Sequence, residues 1–412
     1  MKLRRSRLIE KLEEQSISIF YSGKAPKQSL DQFYPFYVNN NFYYLTNINQ
    51  ENAYLMIIKG NGRNESILFI EPFDELKALW VGSGLTFAEA KNISSVDKVL
   101  SIDSFKNVIA SYLSLSRSAT FGFIEHVYFD FSNSILEEKD QIHHLSKDFQ
   151  NHYPYLKQLN SHPFLSELRM FKDNEEIAKI SKAIDVTKEG IELMMKHANP
   201  SQKEHELEAF FHFTLYKHGL RPSFKTIAAS GVNATILHYE NNNDTINNDE
   251  LILFDLGVSY QGYASDISRT FPVNGKFSER QKEYYQIVLD TNKKVIEYLK
   301  PGVTNEELNI YAKKLLAEGL IKLGKIKTAE ELSKYYYHSI GHFLGLDVHD
   351  VGHYTKPFAA GQIFTVEPGL YIKDEGIGIR IEDDILITKD GNINLSKAII
   401  KEIKEIEEFM KK

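Results

Sequence analysis

The sequence has no cysteine, a single tryptophan and nowhere eighteen apolar residues in succession. Because cysteine is absent, disulfides, thiolate metal ligands and cysteine nucleophiles are excluded. The absence of cysteine is also compatible with a reducing compartment. The missing apolar run predicts that no segment crosses a membrane, and the basic residues 1–15 lack the apolar core of a signal peptide. We therefore expect a cytoplasmic protein with no membrane partner.

The sequence also lacks a large excess of charge of one sign. It contains 49 lysines and arginines and 56 aspartates and glutamates, which gives a net charge of −7. This balance gives no reason to expect nucleic acid or another polyanion as a partner. Hydrophobic residues make up 42% of the chain, which is enough to fill real cores. A length of 412 residues suits two or three domains.

The first part of the chain alternates short β-rich runs, such as "SISIFYSG" and "AYLMIIKG", with helical runs. Strands and helices mixed at this spacing predict an α/β domain over residues 1–165. The only tryptophan, Trp80, falls in this domain, where it fits either the core or a subunit interface.

Residues 166–412 group helices with antiparallel strands and predict an α+β domain. This domain opens with a long amphipathic helix, for which Asp173 and Asn174 are both suitable N-caps. Two kinds of element are expected to follow: helices from about Lys203 and between Ser278 and Leu323, and strands at Leu251–Pro272 and Gln362–Thr388.

Two aspartates interrupt the apolar run "LILFDLGVSYQGYASDISRTFP". A turn centred between Tyr260 and Gln261 would place Asp255 directly opposite Asp266, with Cβ atoms about 4.5–5.5 Å apart. Two buried carboxylates at that separation repel each other, so a positive group must lie between them. For two isolated aspartates, a bridging arginine or an exposed hairpin would explain the pattern better than a metal does.

A second pair of carboxylates makes a metal site the better explanation of the two aspartates. Glu367 and Glu382 lie symmetrically about a turn at residues 374–376, and Pro368 implies a break in the strand pairing beside Glu367. Between the two pairs stands a cluster of histidines: His338, His342, His349 and His353. Four carboxylates with imidazoles can hold two divalent cations. Oxygen-rich sites suit Mn²⁺ or Mg²⁺, while imidazole also admits Co²⁺ or Zn²⁺.

The runs "SDISRTF", "HSIGHFLGLDVHD", "TVEPGLY" and "GIRIEDD" resemble, in order, the signatures of the pita-bread metallopeptidases. The resemblance is closest to their Xaa-Pro aminopeptidase and prolidase branch. In the first part of the chain, the runs "NNNFYYLTNINQENAYLMII" and "ALWVGSGL" resemble the N-terminal domain of aminopeptidase P-like enzymes, which implies such a domain at residues 1–165. The resemblance of the later runs implies a pita-bread catalytic domain at 166–412. It also implies a cofactor of two divalent cations, Mn²⁺ before Co²⁺ or Zn²⁺, held by five ligands: Asp255, Asp266, His342, Glu367 and Glu382.

The same resemblance implies roles for the remaining site residues. Glu367 would carry a proton from the attacking water to the leaving proline nitrogen, and His349 and His238 would stabilise the oxyanion. His338 is either a substrate contact or structural. Arg380 would balance carboxylate charge close to the substrate, and Tyr371 would line the pocket. Asp383 and Asp384 are not expected to be ligands.

The implied reaction is removal of an N-terminal residue that precedes proline in a peptide, by a homo-oligomeric enzyme. A prolidase, which cleaves Xaa-Pro dipeptides, is the alternative, and a binding module without catalysis is a further one that the filled ligand positions disfavour. A dipeptidase needs a basic residue for the proline carboxylate. The segment "HSIGHFLGLDVHDVGHYTKPF" offers none before Lys356, so we expect an open pocket.

Overall fold

The structure is a computed structural model that describes residues 1–114, 120–132 and 140–411. The chain divides into two compact units, Met1–Arg169 and Met170–Lys412. The predicted domain boundary at residue 165 lies inside a helix, His162–Met170, near the end of the first unit. Among the described residues, none of the helices combines the length and apolarity needed to cross a bilayer.

The first unit is built on one mixed sheet, whose order within the described residues is β4-β3-β2-β1-β5-β6. The β1–β2 and β2–β3 pairs are antiparallel, and the other pairs are parallel. Met56 and Ile58 on β2 point into the main core of the unit. The strands are β1 Ser16–Tyr21, β2 Tyr54–Gly60, β3 Arg63–Ile70, β4 Lys98–Ser101, β5 His126–Phe129 and β6 Lys157–Asn160.

Helices complete this unit, which has the predicted α/β character. Trp80 is 88% exposed on α3, so its assignment to the core is wrong, and Leu79 beside it is also exposed. The described helices are α1 Lys2–Lys11, α2 Asn40–Thr46, α3 Glu75–Val81, α4 Phe87–Ser94, α5 Phe105–Leu113, α6 Gln141–His152 and α7 His162–Met170.

The second unit opens with the predicted long helix. Asp173 is its N-cap and accepts a hydrogen bond from the Glu176 backbone N–H, while the Glu176 side chain bonds back to the cap in a capping box. The other helices also match the prediction, and a short one follows near the end of the chain. They are α8 Asn174–His197, α9 Glu204–Lys217, α10 Glu279–Tyr298, α11 Asn305–Lys322 and α12 Ile403–Phe409.

Short antiparallel strands form several small sheets in this unit, as an α+β domain requires. Within the described residues the orders are β11-β10-β7, β12-β9-β8, β13-β16-β17 and β14-β15. The strands are β7 Arg221–Pro222, β8 Ile227–Ser230, β9 Leu251–Leu256, β10 Val258–Tyr260, β11 Tyr263–Ala264, β12 Ile267–Pro272, β13 Ile363–Val366, β14 Gly369–Ile372, β15 Ile377–Arg380, β16 Asp383–Ile387 and β17 Asn392–Asn394.

The first carboxylate hairpin differs from its predicted register. Tyr260 pairs with Tyr263, so the turn consists of Gln261 and Gly262, both with positive φ (48° and 82°). A two-residue turn of this kind needs positive φ at both central positions, which draws Gly262 into the turn. Asp255 therefore faces Ser268, and its predicted direct opposition to Asp266 is wrong. The shift is two residues, which leaves Asp266 diagonal to Asp255.

The second hairpin has the predicted register. Gly369 pairs with Arg380 on one side of a gap and Val366 pairs with Asp383 on the other, so both ladders share one alignment. Glu367 and Glu382 lie in that gap, outside the strands. Pro368 lies in the gap too, because proline has no N–H to donate to a ladder.

Candidate active site

A cavity of about 970 Å³ opens in the second unit. Tyr371 is buried and is not among the residues that line it. His353, the last histidine of the cluster, is absent from the lining as well. All the other predicted site residues do line the cavity: His238, Asp255, Asp266, His338, His342, His349, Glu367, Arg380 and Glu382.

Asp266, His342 and Glu382 each bring one ligand atom to a common point, and these atoms lie within 4.8 Å of one another. The His342 Nδ1 lies 3.1 Å from the Phe343 carbonyl oxygen, which can only accept. The proton is therefore on Nδ1, and Nε2 presents a lone pair 3.3 Å from the Asp266 Oδ2. A backbone carbonyl that fixes the tautomer in this way is typical of metal-ligating histidines.

Three buried carboxylate oxygens in this region have no hydrogen-bond partner among the described residues. They are the Oδ1 atoms of Asp255, Asp266 and Asp384. A buried carboxylate oxygen without a partner is costly, because it has lost water and gained nothing in return. Divalent cations supply the missing interaction, so the donor set fits such a cofactor.

The carboxylates also raise one another's pKa. Burial and the nearby Asp255 raise the pKa of Glu382 to about 7. Burial, followed by repulsion from Glu382, raises the pKa of Asp266 and of Glu367 well above their ordinary values. Four acidic groups this close resist being ionised together unless positive charge lies among them.

Arg380 supplies part of that positive charge. Its Nη2 donates to the Asp255 Oδ2 at 2.6 Å, and its Nε donates to the Ser268 hydroxyl at 2.8 Å. Ser268 in turn donates to the Glu382 Oε2 at 2.7 Å. Ser268 was not among the predicted site residues, although the observed register places it opposite Asp255. Arg380 therefore orients two carboxylates, one directly and one through a hydroxyl.

Tyr371 links Arg380 to His338. The Arg380 Nη1 donates to the Tyr371 hydroxyl at 3.1 Å, and that hydroxyl lies 2.8 Å from the His338 Nε2. The His338 Nδ1 lies 2.7 Å from the Ser339 carbonyl oxygen, so Nδ1 carries the proton and Nε2 accepts from the tyrosine. Burial and Arg380 lower the pKa of His338 to about 4, so it is neutral and forms no ion pair with Glu367.

Glu367 stands between two imidazoles. Its Oε1 lies 3.7 Å from the His342 Nε2, and its Oε2 lies 3.9 Å from the His338 Nδ1. Its backbone N–H donates to the Ile340 carbonyl at 2.9 Å, which ties the gap in the hairpin to the histidine segment. The carboxylate is thus held at the edge of the ligand cluster, facing the cavity.

His349 and His238 lie on irregular segments of the cavity wall. The rings of His349 and His342 are 4.2 Å apart, edge to face. Burial and the neighbouring His342 lower the pKa of His349, so its imidazole is neutral near pH 7 and can donate one N–H.

Asp383 and Asp384, the two acids that were not expected to be ligands, differ in their surroundings. Asp383 accepts from Arg269 at 2.8 Å in a fully buried ion pair and faces away from the cluster, as alternation predicts. Asp384 lies closer, since its Oδ2 accepts from the Asp266 backbone N–H at 3.2 Å. Burial and Glu382 raise the pKa of Asp384, which favours its neutral form.

Lys225 and Glu240 line the cavity and were missed by the sequence analysis. Their side chains are 67% and 45% exposed and form an ion pair of 2.7 Å. Glu240 lies two residues after the predicted His238, whereas no predicted site residue lies near Lys225 in the sequence. Lys225 is a basic residue of the cavity outside the segment in which a carboxylate anchor was sought.

Comparison with known proteins identifies the family of the chain. The model of metallopeptidase family M24 matches residues 178–389, and that of the aminopeptidase P N-terminal domain matches residues 1–121. An Xaa-Pro aminopeptidase from Escherichia coli is 35% identical, over 99% of this chain and 96% of its own.

Solved structures give the same result. A structure from Bacillus anthracis is 46% identical, with a TM-score of 0.96 over 99% of this chain and 97% of the other. Aminopeptidase P from E. coli, solved with the inhibitor Pro-Leu, is 33% identical, with a TM-score of 0.91 over the same shares. The predicted family, fold class and enzyme class are confirmed. This chain belongs to metallopeptidase family M24 and carries the N-terminal domain of aminopeptidase P.

Proposed function

We propose that this protein hydrolyses the peptide bond between an N-terminal residue and a following proline. The observation that carries the proposal is the convergence of Asp266, His342 and Glu382 within 4.8 Å at a cavity large enough for a peptide end. The similarity to Xaa-Pro aminopeptidases over nearly the whole chain supports the same reaction.

The cofactor would be two divalent cations, and the chain is a member of a metallopeptidase family. The ligands would be Asp255, Asp266, His342, Glu367 and Glu382. The unpartnered oxygens of Asp255 and Asp266 support the ligand set. Mn²⁺ fits the carboxylate-rich donors best, and the single imidazole leaves Co²⁺ and Zn²⁺ as alternatives.

Bound cations would lower the pKa of a water toward neutrality and polarise the scissile carbonyl. Glu367 would accept the proton of that water and return it to the proline nitrogen as the bond breaks. Its position suits this role, because its carboxylate reaches both the ligand cluster and the cavity.

His349 and His238 would donate N–H groups to the oxygen that becomes negative when the carbonyl is attacked. A neutral imidazole is the form needed for one ring nitrogen to donate without adding a charge, and His349 has a lowered pKa. Arg380 and Tyr371 were predicted to contact the substrate. Their contacts support a different role, in which Arg380, on the cavity wall, orients Asp255 and the buried Tyr371 holds His338.

The choice between an aminopeptidase and a prolidase depends on how the proline carboxylate would be held. A dipeptidase requires a committed cation, and Lys225 is the basic residue to consider. Its side chain is two-thirds exposed and already bonded to Glu240, so it provides no buried anchor. This favours an open pocket through which a longer peptide continues.

The test is a comparison of kcat/KM for an Xaa-Pro dipeptide, an Xaa-Pro-Yaa tripeptide and the matched Xaa-Ala-Yaa tripeptide, on protein loaded with a defined metal. We expect the Xaa-Pro-Yaa peptide to be cleaved best and the alanine peptide poorly. A clear preference for the dipeptide would make the protein a prolidase. Cleavage of neither proline peptide would refute both assignments.

The predicted homo-oligomer is a further proposal. Apolar side chains on and next to α3 support it, because Phe73, Leu76, Leu79 and Trp80 are all more than half exposed. Light scattering of the purified protein gives its mass directly, and a monomer at micromolar concentration would contradict the proposal. The cytoplasmic location stays a prediction.

A further inference from the structure

The cavity wall that carries His238 has little regular structure. After a short 3-10 helix, Gly231–Thr235, the chain runs without strand or helix until β9 begins at Leu251. Such a segment cannot rely on ladder hydrogen bonds, so its backbone groups and side chains must be fixed in another way. We use the name His238 segment for residues 230–244.

One buried carboxylate fixes much of this segment. Glu204, the first residue of α9, is 0% exposed. Its Oε1 accepts from the Ser230 N–H at 2.7 Å, the Ser230 hydroxyl at 2.8 Å and the Asn233 side-chain amide at 3.1 Å. Its Oε2 accepts from the Tyr239 hydroxyl at 2.9 Å and the Asp244 N–H at 3.0 Å.

These five donors are all neutral, and all belong to the His238 segment. A buried carboxylate is costly unless its lone pairs are satisfied, and here both oxygens are. Its position in the first turn of α9 adds the favourable field of a helix N-terminus. The carboxylate is thus stable where it is, and it holds the beginning, middle and end of the segment at once.

The bond to Tyr239 bears directly on His238. Tyr239 is 8% exposed and its ring is turned inward, toward Glu204. The adjacent His238 is exposed and lines the cavity. Fixing Tyr239 on the inner side therefore fixes the direction in which the side chain of His238 leaves the backbone.

We propose that Glu204 is a positioning residue for the reaction, which sets the place of His238 in the cavity through its hydrogen bonds to the His238 segment. The inference rests on the proposed function, since it assigns His238 to the reacting carbonyl. Glu204 itself touches neither the cavity nor the ligand cluster.

Glu204→Gln tests this with little change of shape. The amide has one acceptor oxygen, so whichever way it is turned, its NH₂ meets a backbone N–H, of Ser230 or of Asp244. We expect kcat on an Xaa-Pro-Yaa peptide to fall roughly 10- to 100-fold, the cost of displacing a group at the reacting centre. Bound metal should be unchanged.

The matched control is Glu206→Gln on the same helix. Glu206 is exposed, and its carboxylate accepts from the Lys203 N–H at 2.6 Å without contacting the His238 segment. The Glu206→Gln variant measures the effect of losing a carboxylate at the start of α9, and we expect its kcat to equal that of the wild type.

A double-mutant cycle separates positioning from general loss of structure. In a His238→Ala background, Glu204→Gln should lower kcat by less than about 2-fold, because the group that it positions is already gone. If Glu204→Gln lowered kcat by the same factor with and without His238, the proposal would be wrong. An unchanged kcat in the single variant would also overturn it.

Tyr239→Phe keeps the test available if Glu204→Gln does not fold. This change removes one donor of the five and keeps the buried ring. We expect a few-fold loss of kcat that disappears in the His238→Ala background, and an equal loss in both backgrounds would contradict the proposal. Wild-type cleavage of the tripeptide is measured first, so a failure of the proposed function is recognised before any variant is interpreted.

Discussion

The two groups of side chains that meet in the cavity are held by different means. Asp255 lies on a strand and Glu367 and Glu382 in the gap of a hairpin, where alternation and register place them. His238 and His349 lie on irregular segments that buried carboxylates hold in place: Glu204 contacts the segment of His238, and Asp350 directly follows His349. The positions of the acidic side chains therefore follow from local hairpin pairing, whereas those of the two histidines depend on contacts between residues far apart in the chain.

Asp350 shows the second mode clearly. It follows His349 directly, and its Oδ2 accepts from the Lys172 Nζ at 3.1 Å in an ion pair whose side chains are both 1% exposed. Its backbone N–H donates to the Phe343 carbonyl at 2.8 Å and closes the loop. Gly345 makes room for this, because a Cβ there would lie 2.1 Å from the carboxylate.

The largest effect is expected from the carboxylates proposed as metal ligands. Asp255→Asn, Asp266→Asn and Glu382→Gln should each lose metal and with it turnover, and exhaustive chelation should abolish activity. Elemental analysis and peptide hydrolysis measure both. The exposed Asp290→Asn on α10 serves as a control that keeps metal. Full activity after chelation would contradict the metallopeptidase mechanism.

The next effect concerns the loop that carries His349. Lys172→Met should lower the free energy of unfolding by about 3–5 kcal/mol, because the Asp350 carboxylate stays buried without its lysine. Chemical denaturation measures this loss. Lys172→Met combined with Asp350→Leu should recover much of it. A matched change of the more exposed Lys188, paired with Glu192 at 2.6 Å, should cost less than about 1 kcal/mol.

A third prediction distinguishes the roles of His342 and His349, which lie in one segment. His349→Ala should keep bound metal and lose about 10²–10³ in kcat, the size expected for one oxyanion donor. His342→Ala should lose metal. The exposed His353→Ala is the control and should change neither. Equal loss of metal from the first two variants would show that the division of roles is wrong.

The smallest effect is on stability at acid pH. Glu375, in the turn between β14 and β15, accepts from Arg280 at 2.7 Å and from Lys325 at 2.8 Å, and the hydrogen bonds from Arg280 chiefly lower its pKa to about 2. Because the pKa is depressed in the folded state, this stabilisation is present above the ordinary pKa near 4.5 and is lost as pH falls toward 2.

Glu375→Gln should therefore reduce the loss of stability between pH 6 and pH 3 by about 1 kcal/mol, a value lowered by partial exposure. Urea unfolding at both pH values gives the difference, with the exposed Glu306→Gln as a control. An unchanged pH dependence in Glu375→Gln would show that the contacts of Glu375 contribute nothing to it.

Much of the fold and of the candidate site could be predicted from the sequence because the relevant signals are local. The caps, the strand alternation and the spacing of Glu367 and Glu382 about their turn all lie within short stretches. The register of the first hairpin was missed by two residues, because the demand of the turn for positive φ at Gln261 and Gly262 outweighed the symmetry of the aspartates.

Other features could not be predicted, for a different reason. Burial of Tyr371, exposure of Trp80 and the contacts of Glu204 depend on which segments pack together. Glu204 and Tyr239, for example, are 35 residues apart in the sequence, and no sequence motif connects them. Pairings between distant segments leave no periodic trace, so they appear only when the chain is folded.

The ion pair between Lys172 and Asp350 also has a consequence for biosynthesis. Its two residues are separated by 178 positions in the chain. At about 5–20 residues per second, a ribosome needs roughly 10–35 s to make the intervening segment. Until then Lys172 is an unburied cation and the His349 loop does not exist. The peptidase therefore remains incomplete during most of its own synthesis.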